Sequence, residues 1–118
     1  KINTYHVSML PYFLARLKGI QEADGHLLEK SLILYGSPMG DSNLHNHKRC
    51  PLMLLGHAGG RLKGGRHVQV PVDTPMANAM LAALQMLGVR QERLGDSTGA
   101  MELNAAAGTT TTASRQGA

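Results

Sequence analysis

Tryptophan is absent from the 118-residue chain, and aromatics amount to one Phe and three Tyr. Aliphatic side chains must therefore fill any core, and the seven Met pack adaptably while specifying shape weakly. The same scarcity removes the stacking platforms on which single-stranded nucleic acid is held. One cysteine, Cys50, excludes an intrachain disulfide. No run approaches the ~20 apolar residues of a membrane span, so no membrane partner is expected. Acidic residues are the minority, with eight Asp and Glu against twelve Lys and Arg and a net charge of +4. The cations are scattered, densest at Arg61, Lys63 and Arg66. They read as a solvated basic surface and not as a nucleic-acid interface. The chain starts at Lys1, inside a helical pattern and without a signal-peptide pattern, so a piece of something longer is expected.

What is present suffices for one small domain with one core, at 42% apolar residues. Residues 4–21 read as an amphipathic helix, with Leu10, Phe13, Leu14, Leu17 and Ile20 on one face. Pro11 lacks the N–H that would bond back to Val7, so a kink or a start is expected there. Asp24-Gly25 signals a turn, and residues 26–30 suit one helical turn. Residues 31–36 and 52–55 are continuous apolar runs, as in strands buried on both faces. A ~13-residue loop joins them, which suggests an α/β layer: a small, mostly parallel sheet flanked by two main helices. Residues 56–65 hold five glycines and read as a loop, without the GxxxxGK[ST] spacing of a phosphate-cradling loop. Residues 67–70 alternate and suit a short edge strand.

Residues 74–87 read as a second helix, capped by Asp73 or Thr74, with Pro75 in its first turn. Its expected buried stripe is Ala77, Met80, Leu81, Leu84 and Leu87, and Gly88 suits the left-handed residue that ends it. Residues 95–99 form a turn cluster. Residues 1–103 read as a single domain, and residues 104–118, which end in AAAGTTTTASRQGA, as a disordered tail.

The loop between the two strands carries Asp41, Asn43, His45 and His47, each two residues from the next. Zinc and related ions take neutral imidazole and carboxylate ligands, usually four. In an extended segment this spacing turns all four side chains to one side, where they could share an ion. The alternative is that both histidines bond to backbone or water. His6 and His26 stand near helix starts or turns, whereas His57 and His67 flank the glycine loop and could fold back toward His45. Cys50, before a proline, reads as a small hydrophobe. Ser37 lacks the G-x-S-x-G elbow of a nucleophile and reads as a cap. Asp96 and Ser97 read as turn residues.

The runs YHVSMLPYFLARLK, LLEKSLILYGSPMGDSNLHNHKRCPLMLLGHAGGRLKGGRHV, DTPMANAMLAALQMLGV and LGDSTG resemble, in order and spacing, the C-terminal part of the HXXSHH (DUF1552) family. The likeness covers about residues 1–99. Its members are typically exported bacterial proteins of uncharacterised function, so the resemblance implies a periplasmic or extracellular protein. The family's namesake motif does not occur here, which implies a C-terminal fragment.

The family is similar in turn to the alkaline-phosphatase/sulfatase superfamily, in which a metal-ligand histidine precedes a proline and a strand. His45 stands six residues before Pro51, and Asp73-Thr-Pro75 opens a helix ending at Leu87-Gly88. The likeness implies an incomplete alkaline-phosphatase-like unit with a divalent metal, zinc foremost. It implies a hydrolase of small phosphate or sulfate esters, weak and promiscuous. Ser37-Pro38-Met39-Gly40 replaces the superfamily's Asp-His pair, and the nucleophile and remaining ligands would lie upstream. The rival expectation is a non-catalytic fragment whose exposed apolar surface drives self-association into a homo-oligomer.

Overall fold

A helix with one apolar stripe needs a neighbour, and the first thirty residues supply it. In the computed structural model, which describes residues 1–104, α1 (Ile2–Gly19) runs without a break through Pro11. The helix therefore does not start at Pro11. Val7 is exposed, so water can serve the carbonyl that the proline ring leaves unpaired. Leu10, Leu14 and Leu17 make a half-buried inner stripe, and the helix packs on the short elements that follow it. Phe13 and Ile20, expected on that stripe, are exposed.

β1 (Gln21–Glu22) and β2 (Gly25–His26) form a minimal antiparallel hairpin. It leads into α2 (Leu27–Lys30), whose first turn is capped by His26, with Nδ1 accepting from the Glu29 N–H at 3.3 Å. Lys30 closes the hairpin by an ion pair with Asp24. The hydrogen bond from Lys30 and its ammonium charge hold the Asp24 carboxyl below the ordinary aspartate range, and the same hydrogen bond with the carboxylate charge raises the Lys30 ammonium.

β3 (Ile33–Gly36) and β4 (Leu52–Leu55) pair antiparallel, with Ile33 opposite Leu55 and Gly36 opposite Leu52. The expected parallel arrangement is therefore corrected. A parallel return needs a crossover, usually a helix, that carries the chain back to the strand's starting end. Residues 37–51 contain no helix and fold back on themselves instead. Leu34 and Met53 are exposed, and no residue of either strand is fully buried, so one face is wet, as antiparallel sheets allow. Residues 67–70 form no strand, although Val68 and Val70 are half-buried and their neighbours exposed.

α3 (Met76–Met86) begins at Pro75 without a side-chain cap. Neither Asp73 nor Thr74 serves; the Thr74 N–H turns back to the Pro71 carbonyl at 3.0 Å. The other end is as expected. Gly88 takes φ +88°, its N–H bonds to Gln85, and the Val89 N–H bonds to Leu84, both at 3.0 Å. This is the Schellman arrangement, which satisfies carbonyls that the helix leaves open. Arg61 donates to one more of these, the Met86 carbonyl, at 2.8 Å.

The fully buried apolar residues are Ala79, Leu81, Ala82 and Ala83 of α3, with Ala58 and Leu62 from the glycine loop. The core thus lies under α3 and not between helix and sheet. Met80 and Leu87, expected inside, are exposed, whereas Asn78 is buried to the same extent as Leu81. The face is rotated because the returning segment 94–101 lies on Asn78. The Asn78 side chain donates to the Thr98 hydroxyl at 3.0 Å and accepts from the Thr98 N–H at 2.8 Å. Its carbonyl accepts from the Met101 N–H at 3.1 Å.

The two halves are joined by residues 57–59. Their N–H groups donate to the carbonyls of Leu28, Ser31 and Glu29 at 3.4, 3.0 and 2.8 Å, filling the open end of α2. The molecule is mixed α/β, with two small antiparallel sheets, and no described helix is long and apolar enough to cross a membrane. The expected tail falls, from residue 105 onward, outside the described residues.

Two outcomes follow. Asn78→Ala removes both hydrogen bonds to Thr98, and at about 0.5–1.5 kcal/mol each a loss of about 1–3 kcal/mol is expected in urea unfolding. By NMR, Asp24 is expected to titrate below its ordinary 3.8 and to return to it in Lys30→Met. A lowered carboxylate stabilises above the unfolded value and ceases to do so as pH falls through the folded one, so the ion pair is lost on acidification.

Candidate functional site

The β3–β4 connection is closed from within. The Ser37 N–H continues the ladder to the Pro51 carbonyl at 3.1 Å. Gly40 N–H donates to the Asn46 carbonyl and Asn46 N–H to the Asp41 carbonyl, both at 2.8 Å, which pinches residues 41–46 into a turn. Gly40 passes so close to the Lys48 carbonyl that a Cβ there would overlap it, so only glycine fits without backbone movement. The Asp41 carboxylate accepts from the Asn43 N–H at 2.9 Å and the Leu44 N–H at 3.2 Å through one oxygen, which is the Asx-turn use of aspartate.

The turn decides which of the four candidate residues meet. All of them are exposed on the loop. Because residues 41–46 are turned and not extended, the spacing of two does not align four side chains along one edge. Among the described residues no group of three or more His, Cys, Asp or Glu is placed to hold an ion. His45 and His47 do meet, with ring centres 5.2 Å apart and the rings perpendicular. His45 sits at φ +52°, as does Arg49 on the far side of His47. Non-glycine residues in this region carry strain that the surrounding structure must hold.

The nitrogen roles distinguish the histidines. His47 Nδ1 lies 2.9 Å from the Pro38 carbonyl. A carbonyl only accepts, so Nδ1 carries the proton and Nε2 presents a lone pair. Metal-ligand imidazoles are commonly held this way, by a backbone carbonyl behind the ring. His26 is the opposite case. Its Nδ1 accepts from Glu29 N–H and its Nε2 lies 3.4 Å from the Glu29 carboxylate, so both nitrogens are engaged. His6, His57 and His67 are exposed, and none joins a donor group.

Two groups near His47 were not readable as site features. The Pro38 carbonyl carries no residue-type signal. Cys50 is half-buried, and its Sγ lies 3.0 Å from both the Pro38 and the His47 carbonyls. Its position three residues after His47 was the available cue. Ser37 accepts from the Met39 N–H at 3.1 Å, and Ser97 from the Leu94 N–H at 2.8 Å, both turn uses. Lys48 and Arg49 follow the histidines directly and give this end of the loop a positive flank, which favours anionic molecules.

Two imidazoles on one tetrahedral ion would stand with ring centres ~5 Å apart, a separation close to that of the observed pair. No protein-family model, curated protein or solved structure matches the chain.

For the neutral ring, long-range nitrogen–proton NMR is expected to show His47 protonated at Nδ1. A ring protonated at Nε2 would contradict the Pro38 contact.

Proposed function

We propose that His45 and His47 contribute two ligands to a divalent metal ion, zinc foremost, in a hydrolase of phosphate or sulfate esters. The observation that carries this reading is the His47 ring, which is held from behind by the Pro38 carbonyl and stands with its centre 5.2 Å from that of His45. The resemblance to the HXXSHH family, and through it to the alkaline-phosphatase/sulfatase superfamily, supplies the reaction class. That likeness implies that the nucleophile and the remaining ligands stand upstream in the family's longer chains.

When bound, such an ion supplies Lewis acidity and activates water. The chain's own residues hold and orient. Pro38 sets the His47 tautomer and ring direction. Asp41 keeps the turn closed with one oxygen, so only its other oxygen is available to an ion; Asn43 stands beside it as the remaining candidate. Lys48 and Arg49 favour an anionic ester. The loop is open to solvent, so it excludes little water and selects weakly among leaving groups, in keeping with slow, unselective hydrolysis.

Calorimetric titration with zinc is the direct test. One ion per site is expected for the parent chain, with at least a tenfold loss of affinity in His45→Ala and in His47→Ala and an unchanged circular dichroism spectrum. A panel of aryl phosphates and sulfates, with and without chelator, then separates a catalytic ion from a structural one. Equal zinc binding in the parent and both variants would remove the proposal.

A further inference from the structure

α1 has two apolar faces and uses one of them. None of its eighteen residues is fully buried. The inner stripe of Leu10, Leu14 and Leu17 accounts for its packing. On the opposite side Ile2, Tyr5, Met9 and Tyr12 are exposed to between 47 and 72%. Their spacing of three, four and three continues to Arg16 and Gly19, which is the a/d seam of a heptad pattern. Phe13 and Ile20 stand beside the seam, also exposed. Three of the four aromatic residues in the chain are thus gathered on one face, outside the fold's own core. Pro11 falls outside the seam.

We propose that this face is the interface of a two-fold homodimer, with the two α1 helices packed antiparallel. Three observations select a second copy and this orientation. The first is self-complementarity: about the helix midpoint, position 9 meets 12, position 5 meets 16 and position 2 meets 19. An isologous interface requires this reciprocity. The second is charge. α1 carries no acidic residue, so a parallel pair would set Arg16 against Arg16 with nothing to neutralise it. The antiparallel pair sets each guanidinium on the ring of Tyr5, a favourable cation–π geometry. The third is area. The six apolar side chains expose on the order of 600 Å², judged from the size of such side chains. A symmetric pair would then bury about 1,200 Å², the lower end of specific interfaces.

This dimer does not depend on the metal reading, since α1 contains neither His45 nor His47. Sedimentation of the full chain from low micromolar to near-millimolar concentration is the test. A reversible shift to twice the 12.6 kDa of one chain is expected. The double variant Met9→Glu/Tyr12→Glu sets like charges opposite each other across the seam and is expected to stay monomeric with its helical spectrum intact, because both side chains are exposed. Val89→Glu, an exposed apolar position outside α1, is expected to dimerise like the parent. Orientation is read by disulfide trapping in a Cys50→Ser background. Ile2→Cys mixed with Gly19→Cys, where a side chain has open space, should crosslink rapidly, and Ile2→Cys alone should not. A monomer at every concentration, open-ended oligomers, association that survives the double variant, or crosslinking of Ile2→Cys to itself would each overturn the proposal.

Discussion

The side-chain amide of Asn78 is the constraint on which the C-terminal half depends. It is buried as completely as Leu81, one turn along the same helix, yet it can exchange two hydrogen bonds with Thr98 and leave no polar atom stranded. A satisfied buried amide is directional where apolar contact is not. It dictates which face of α3 turns inward and at what register residues 94–101 return across it. The remaining connections are of the same kind. Arg61 ends α3, Asn104 bridges to the backbone of residues 61 and 63, and residues 57–59 fill the carbonyls of α2. With only eight fully buried residues among those described, this chain relies on backbone-directed polar bonds to do what a larger core would do elsewhere.

The same economy shapes the candidate site. The loop closes through Gly40, Asp41 and Asn46 before any ligand is considered, and that closure brings His45 and His47 together. It also commits part of the Asp41 carboxylate to backbone amides. The left-handed backbone at His45 and Arg49 is held by a short antiparallel pair and its turn, so the strain is local to the residues proposed to act.

α1 shows how a single helix can answer two demands. Its leucines face the short hairpin and α2, and its aromatics face outward. A composition without Trp and with one Phe made an aliphatic core the natural expectation. The few aromatics present lie chiefly where a partner surface would use them, since Tyr offers large contact area and a polar tip at little conformational cost.

Local chemistry was legible in the sequence alone. Gly88 ends α3, Asp24-Gly25 turns the first hairpin, both apolar runs form strands, and Ser97 serves a turn, because each of these depends on a residue and its near neighbours. The spacing of His45 and His47 suggested a shared side only for an extended segment, whereas the turned loop is what brings the two rings together. What tertiary structure decided was direction and partnership. A continuous apolar run does not say whether its neighbour is parallel, and the fold-back of residues 37–51 made it antiparallel. A helical stripe can be drawn through several registers, and only the bonds from Thr98 and Met101 chose the one centred on Asn78. The Pro38 carbonyl behind His47 belongs to backbone, which every residue type carries alike, so only the folded loop reveals it.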